Sequence, residues 1–428
     1  MEGKTLHFIA FSLENKRNAV YYYLSFLVWP FGVMLDAIIH WEKPWSKNVF
    51  WLFCIFFGLT FIIAQDSYNA ADSARIAQNL SNYAHSDMNL RELWGTLYSE
   101  GSNNVDIIQP LLLFLVSRVT DNPIVLFTIY AIIFGYFNSK NLWLVLDHVK
   151  GNFSIILFIF FLTLFLINPI WNINGFRMYA GMHVFMYGAL SFLLDGSTKR
   201  LFWSLIAVFF HFSLIFPLII LIAFILLKNR PAIYLGFFIL TSFLKELDLE
   251  SVRSLLSFLP GVFQSRVEGY TSLNYVEGLN AISESISWFV PLSEKCLTWV
   301  AYALTLFIYL FNRPILKKRI DLNTLFSFSL LLYGFANIFS LVPSGGRFIA
   351  LANSFIFVFF IFYISSAPTN KNFSILSAMT VPLLLLYCVV ALRLGTEFFS
   401  LTTIIGNPVY AILNPYNIPV FEAIKGFL

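Results

Sequence analysis

The chain has 428 residues, of which 58% are hydrophobic and only 12% charged, with a formal net charge of +4. Soluble domains carry about 25% charged residues, so a soluble globular protein, a disordered chain and a nucleic-acid binder are excluded. The apolar segments are apolar on every side rather than alternating, which excludes a transmembrane barrel and predicts an all-α, polytopic integral membrane protein, with 1–428 as a single membrane domain.

In chain order, apolar runs at 19–40, 49–65, 123–146, 153–171, 176–194, 200–228, 231–244, 288–311, 322–342, 347–366 and 373–392 predict about 11–13 transmembrane helices. No small-residue cleavage pattern follows the first run, so no cleavable signal peptide is expected. The run 107–119 is too short for a comfortable span and is expected to be interfacial or re-entrant. The run 200–228 has basic residues at both ends and Pro217 in its middle. Two short helices meeting near His211-Phe212-Ser213 are favoured over one long tilted helix, because both basic ends then lie on one side.

Charge sets the orientation. The short loops 41–48, 147–152, 195–200, 228–231, 312–321 and 367–372 carry twelve Lys/Arg, whereas the long loops 66–122 and 245–287 carry six, with 13 of the 23 acids. The positive-inside rule places the two long loops outside. Lys4, Lys16 and Arg17 favour an inside N-terminus, while helix parity favours the opposite. Within the outer loops, Leu90, Leu93, Trp94, Leu97 and Tyr98 form a helical stripe, and so do Val252, Leu255, Leu256 and Leu259. Such stripes suit helices on the membrane surface or packing against the bundle. The segment 123–244 supplies central helices with Arg177 and His211; 288–392 supplies C-terminal helices with Arg347; 393–428 is a tail.

Ionisable groups at membrane depth cost roughly 2.5–3.5 kcal/mol or more each, and so need a reason. Arg177 follows a turn, Asn172-Ile173-Asn174-Gly175, at the start of a helix; Arg347 follows Pro343-Ser344-Gly345-Gly346 in the same way. A guanidinium beside the free N–H groups of a helix start suits a phosphate; the competing reading is an arginine anchored in headgroups. His211, in an apolar helix, is either a hydrogen-bonded structural residue or a group that meets a bound sugar or phosphate. Asp66, Tyr68 and Asp72 stand where the second span emerges, and either carboxylate is a candidate general base toward a sugar hydroxyl or an ordinary solvated acid. Arg118 and Arg393 also lie near outer ends. Cys54, Cys296 and Cys388 lie in apolar segments without C-x-x-C spacing and are expected to be fillers. No P-loop, Rossmann glycine pattern or EF-hand is present, and no metal site or cofactor is expected.

These residues resemble a known family, the EpsG/Wzy-type O-antigen and exopolysaccharide polymerases of bacteria. Asn174-Gly175-Phe176-Arg177-Met178-Tyr179-Ala180, then a hydrophobic helix, then Lys199-Arg200, then Ala207-x-x-Phe210-His211-x-Ser213 is similar to its N-x-x-R … A-x-x-F-H-x-S signature. Asp66-x-Tyr68 resembles the pair that opens the family's first outer loop, Gly346-Arg347 a late arginine, and Gln109-Pro110 stands where members often show Glu-Pro. The resemblance implies a GT-C-like helical fold in the bacterial inner membrane and a metal-independent glycosyltransferase acting on undecaprenyl-diphosphate-linked oligosaccharide at the periplasmic face. Membrane lipid and a chain-length regulator protein are the further partners it implies, and no nucleic acid. Catalytic roles then fall to His211 and Asp66, and substrate binding to Arg177, Arg347, Tyr68 and Asp72.

Two other classes compete. A flippase of lipid-linked sugars should place charges deep in a central cavity between pseudo-symmetric halves, whereas these charges lie at one face. Another GT-C-type ligase or glycosyltransferase should show a larger outer domain or an early acidic metal motif.

Overall fold

The computed structural model describes residues 19–63, 72–97, 105–149, 153–255, 257, 264, 268, 272, 286–366, 371–414 and 417–427. Asp66, Tyr68, Tyr98, the N-terminal Lys4, Lys16 and Arg17, and the side chains of the Val252–Leu259 stripe lie outside that description. Among the described residues the regular structure is helical, apart from one isolated bridge between Ser400 and Pro419. The helices are α1 (19–26), α2 (Pro30–Ile39), α3 (Ser46–Leu59), α4 (Asp72–Ala84), α5 (Leu90–Thr96), α6 (Ile108–Ser117), α7 (Pro123–His148), α8 (Ile155–Ile167), α9 (Phe176–Asp195), α10 (Thr198–Phe210), α11 (Ile215–Leu227), α12 (Pro231–Ser242) and α13 (Leu249–Leu255). They continue with α14 (Phe289–Phe311), α15 (Arg313–Lys318), α16 (Ile320–Phe339), α17 (Gly346–Ser366), α18 (Lys371–Gly395), α19 (Leu401–Ile405), α20 (Pro408–Leu413) and α21 (Val420–Phe427).

Six helical stretches are long and apolar enough to cross a membrane, and five shorter apolar helices of 10–17 residues accompany them. The protein is thus an all-α polytopic membrane protein. Local chemistry sets the boundaries. The first predicted run is split because Pro30 opens a new helix, where its missing N–H costs nothing. Asn122 caps α7 by accepting from Ile124 N at 2.9 Å, ahead of Pro123. Gly196, with φ +66°, closes α9 in the left-handed conformation that glycine tolerates. The 200–228 run breaks at His211, as the basic ends suggested, and α6 has only ten residues.

In lipid, apolar side chains gain little by leaving the bilayer, so fit and close approach hold helices together. The centre is α17, buried at every position from Leu351 to Tyr363, against α16 and α8. Phe328 meets Phe355 and Phe326 meets Phe359 at ring separations of 5.0 and 4.8 Å. Gly181 and Gly188, two turns apart on α9, let α10 approach so closely that a Cβ at either would collide with Leu214 or Ser204.

The bundle has two distinct ends. At one, Trp143 donates to Trp41 O at 3.0 Å, His148 and Arg200 both meet Asp195, and Asn229 donates to Thr324 at 2.9 Å. These contacts gather the lysine- and arginine-rich loops together. At the other end the tail is not loose. Val420 N donates to Phe399 O at 2.8 Å, Phe421 N to Thr396 O at 3.1 Å and Ile62 N to Phe398 O at 3.3 Å. Thr403 meets the buried Thr60 hydroxyl at 2.6 Å, so the tail straps the far end of α3.

Candidate functional site

The Arg177 turn is built from amides. Asn168 ends α8, and Pro169 cannot continue the helix. Asn168 Nδ2 donates to Tyr179 O at 2.9 Å, its carbonyl receives His183 Nε2 at 3.0 Å, and its Oδ1 receives Asn172 Nδ2 at 3.0 Å. Asn141 Nδ2 in turn donates to His183 O at 2.9 Å. Bonds from residue 168 to residues 179 and 183 fix the end of α8 against the first two turns of α9. They also satisfy polar backbone where no water reaches, the condition for a broken helix in a membrane. A 3₁₀ turn, Ile170–Gly175, follows. Asn174 Oδ1 accepts from Ser73 N at 2.7 Å, which moors α4 beside it, and Phe176 stacks on Tyr130 at 3.9 Å.

Arg177 then meets a residue that the sequence did not single out. Its Nη1 donates to Asp106 Oδ2 at 2.9 Å; the arginine side chain is 31% exposed and the aspartate 6%. The other Asp106 oxygen, Oδ1, accepts from Phe212 N at 2.8 Å. Ile107 N, next along, donates to Phe209 O at 3.1 Å. Asp106 therefore holds both Arg177 and the break between α10 and α11. At that break His211 is extended, φ −147° and ψ 120°, and its Nδ1 accepts from Ser213 N at 3.2 Å. The ring serves as the N-cap of the 3₁₀ turn Phe212–Leu214, a job usually done by a side-chain oxygen. An accepting Nδ1 leaves the proton of the neutral ring on Nε2.

Arg347 approaches α9 from elsewhere. Its turn contains Ser344 at φ +64°, and Gly345 lies so near Phe339 O that no side chain fits there. The Arg347 guanidinium lies against the Tyr179 hydroxyl, with Asp72 and Glu294 within electrostatic reach of it. Tyr179 is two residues beyond Arg177, about 200° round the helix, so the arginines flank the first turn of α9 from different sides. Asp72 lies below this turn, 3.9 Å from the Cβ position of Gly175, and pairs with Arg75.

The structure thus brings Arg177 and His211 together through Asp106, and gathers Arg347 and Asp72 around Tyr179. Asp66 and Tyr68 lie outside the described residues. Arg118 holds the Tyr83 and Ser86 carbonyls, and Arg393 pairs with Glu397 over the Phe421 ring, so both have structural work. The first stripe divides: Leu93 and Leu97 are buried, whereas Leu90 and Trp94 are exposed. Sequence reasoning missed Asp106 and Glu294, each a lone acid at the head of an apolar run, which was the available signal. Glu294 lies one turn into α14, near both Tyr179 and Tyr387. Among the described residues no group of three His, Cys, Asp or Glu could hold a metal ion. Among known families, residues 50–403 match the EpsG family. No curated protein and no solved structure matches the chain.

Proposed function

The chain belongs to the EpsG family, and from that premise we propose that it is a glycosyltransferase joining undecaprenyl-diphosphate-linked oligosaccharide units into an O-antigen or capsular polysaccharide. Family membership supports a polymerase-type role in polysaccharide synthesis in general. The observation that carries the finer reading is the meeting of Arg177 and the His211 break on one buried carboxylate. The work is assigned to the periplasmic face of the inner membrane. The gathering of the basic loops at the opposite end supports that orientation.

In the reaction, an acceptor sugar hydroxyl oxygen forms a bond to the anomeric carbon of the donor unit. The bond from that carbon to the lipid diphosphate oxygen breaks, and the hydroxyl proton leaves to a base. Negative charge grows on the departing diphosphate, where fixed cationic donors are worth most. Arg177 and Arg347 supply them from two sides of the α9 start. His211, with its proton on Nε2, serves as a hydrogen-bond donor to the diphosphate or to the acceptor. Asp72, next to the Arg347 side, is assigned to the acceptor sugar.

The test is the surface-polysaccharide ladder of a strain lacking the gene. Collapse to a single repeat unit is the expected result; loss of all surface units would point to export instead. Orientation is read separately. A cysteine at Ser272 should react with a membrane-impermeant reagent in intact cells and one at Asn323 should not; the reverse pattern would overturn the assignment of faces.

A further inference from the structure

Asp106 is the only carboxylate buried among the described residues. A carboxylate withdrawn from water needs partners for both oxygens, and here each has one: Arg177 Nη1 at 2.9 Å and Phe212 N at 2.8 Å. The two partners belong to the first turn of α9 and to the break after α10, while Asp106 stands at the head of α6. One side chain therefore ties three elements together. The pairing also alters Arg177 electrically. A guanidinium with a carboxylate at 2.9 Å offers an incoming anion less net charge than a lone one.

We propose that Asp106 is a positioning residue: it aims the Arg177 guanidinium, fixes the break that carries His211, and withholds part of the Arg177 charge from the lipid diphosphate. This rests on the polymerase reading above. Its chemical sense lies in the difference between ground state and transition state. An unpaired arginine would grip the diphosphate of substrate and product alike, and uniform binding of that kind lowers KM without raising kcat and slows release. A tethered arginine keeps its remaining donors aimed at the site, where they count most as the leaving group gains charge.

Asp106→Asn separates aiming from burial. The amide has the same shape, and its oxygen can still accept from Phe212 N, but its NH₂ cannot accept from Arg177. Wild type and variant are compared in membranes at matched protein levels, with the native lipid-linked repeat unit as substrate and inorganic pyrophosphate as inhibitor. The expected result is a fall in kcat of about 10-fold or more together with a lower KM and a several-fold lower inhibitory pyrophosphate concentration. A merely structural role reduces the active fraction, so kcat would fall with KM and pyrophosphate sensitivity unmoved; that outcome, or unchanged kcat, overturns the proposal. If the Asn variant does not accumulate, Asp106→Glu keeps the charge: it should show a reduced kcat with wild-type pyrophosphate sensitivity, and raised sensitivity would overturn the proposal. Pyrophosphate protection of the purified proteins against thermal unfolding is measured alongside and does not depend on polymerisation. A wild type that makes no polymer sinks the polymerase reading, whereas equal protection of wild type and Asp106→Asn sinks the role given to Asp106.

Discussion

The two arginine turns, before α9 and before α17, look alike in sequence and are built differently. Arg177 is tied to a buried aspartate, and through it to the His211 break. Arg347 rests on a glycine turn with no room for a side chain at Gly345, and faces a tyrosine hydroxyl with acids near it. One arginine is tied to a buried carboxylate that also holds the scaffold, and the other faces a tyrosine hydroxyl from its own glycine turn. The lesson is that a charged residue in a membrane protein can serve structure and chemistry together, and that its partner decides the share.

Removing each arginine should expose that difference most strongly. Arg177→Ala leaves Asp106 buried without its cation, and breaking such a pair costs about 3 kcal/mol. The expected outcome is loss of long chains together with loss of folded protein on immunoblots. Arg347→Ala should lose long chains at unchanged abundance. Adding Asp106→Ala to Arg177→Ala removes the uncompensated charge but also the bond to Phe212 N, so it should restore abundance only in part, and not chain growth. Equal abundance of both single variants would break the comparison.

The His211 break gives the next effect. Asn is a good cap and can accept from Ser213 N in place of the imidazole Nδ1, so His211→Asn should keep the fold. If the Nε2 proton is used in transfer, chain growth should still fall by about 10²-fold. Full activity with stable protein would leave His211 a cap and nothing more. Arg→Lys at the two turns should sharpen the contrast further, by a smaller margin. Lysine is a point charge that cannot aim a fork, so Arg177→Lys should lose more chain length than Arg347→Lys, read on the same gels.

The sequence made the helices legible because lipid demands long apolar runs, and the break at His211 because basic residues at both ends of 200–228 conflicted with one span. Arg177, His211 and Arg347 stood out as polar groups at the ends of apolar runs. Asp106 did not, because its meaning lies in contacts with residues 71 and 106 positions away. Asn168 and His183 were silent for the same reason: amide bonds that join the end of α8 to the first turns of α9 and to α7 depend on how the chain turns after Asn168, and periodicity does not say that. The segment 393–428 read only as a tail because the bonds made through Phe398 and Phe399 are backbone ones, to which composition is blind.

That strap sets a timetable for biogenesis. Residues 396–421 leave the ribosome after every span has been made, yet they bind the far end of α3, made some 340 residues earlier. That end of the bundle therefore stays open while the six long spans are inserted and closes only once the tail has reached it. A chain truncated before Thr396 and released from the ribosome should contain all six long spans in the membrane and still be cut near α3 by protease added on the tail's side, where the full chain resists.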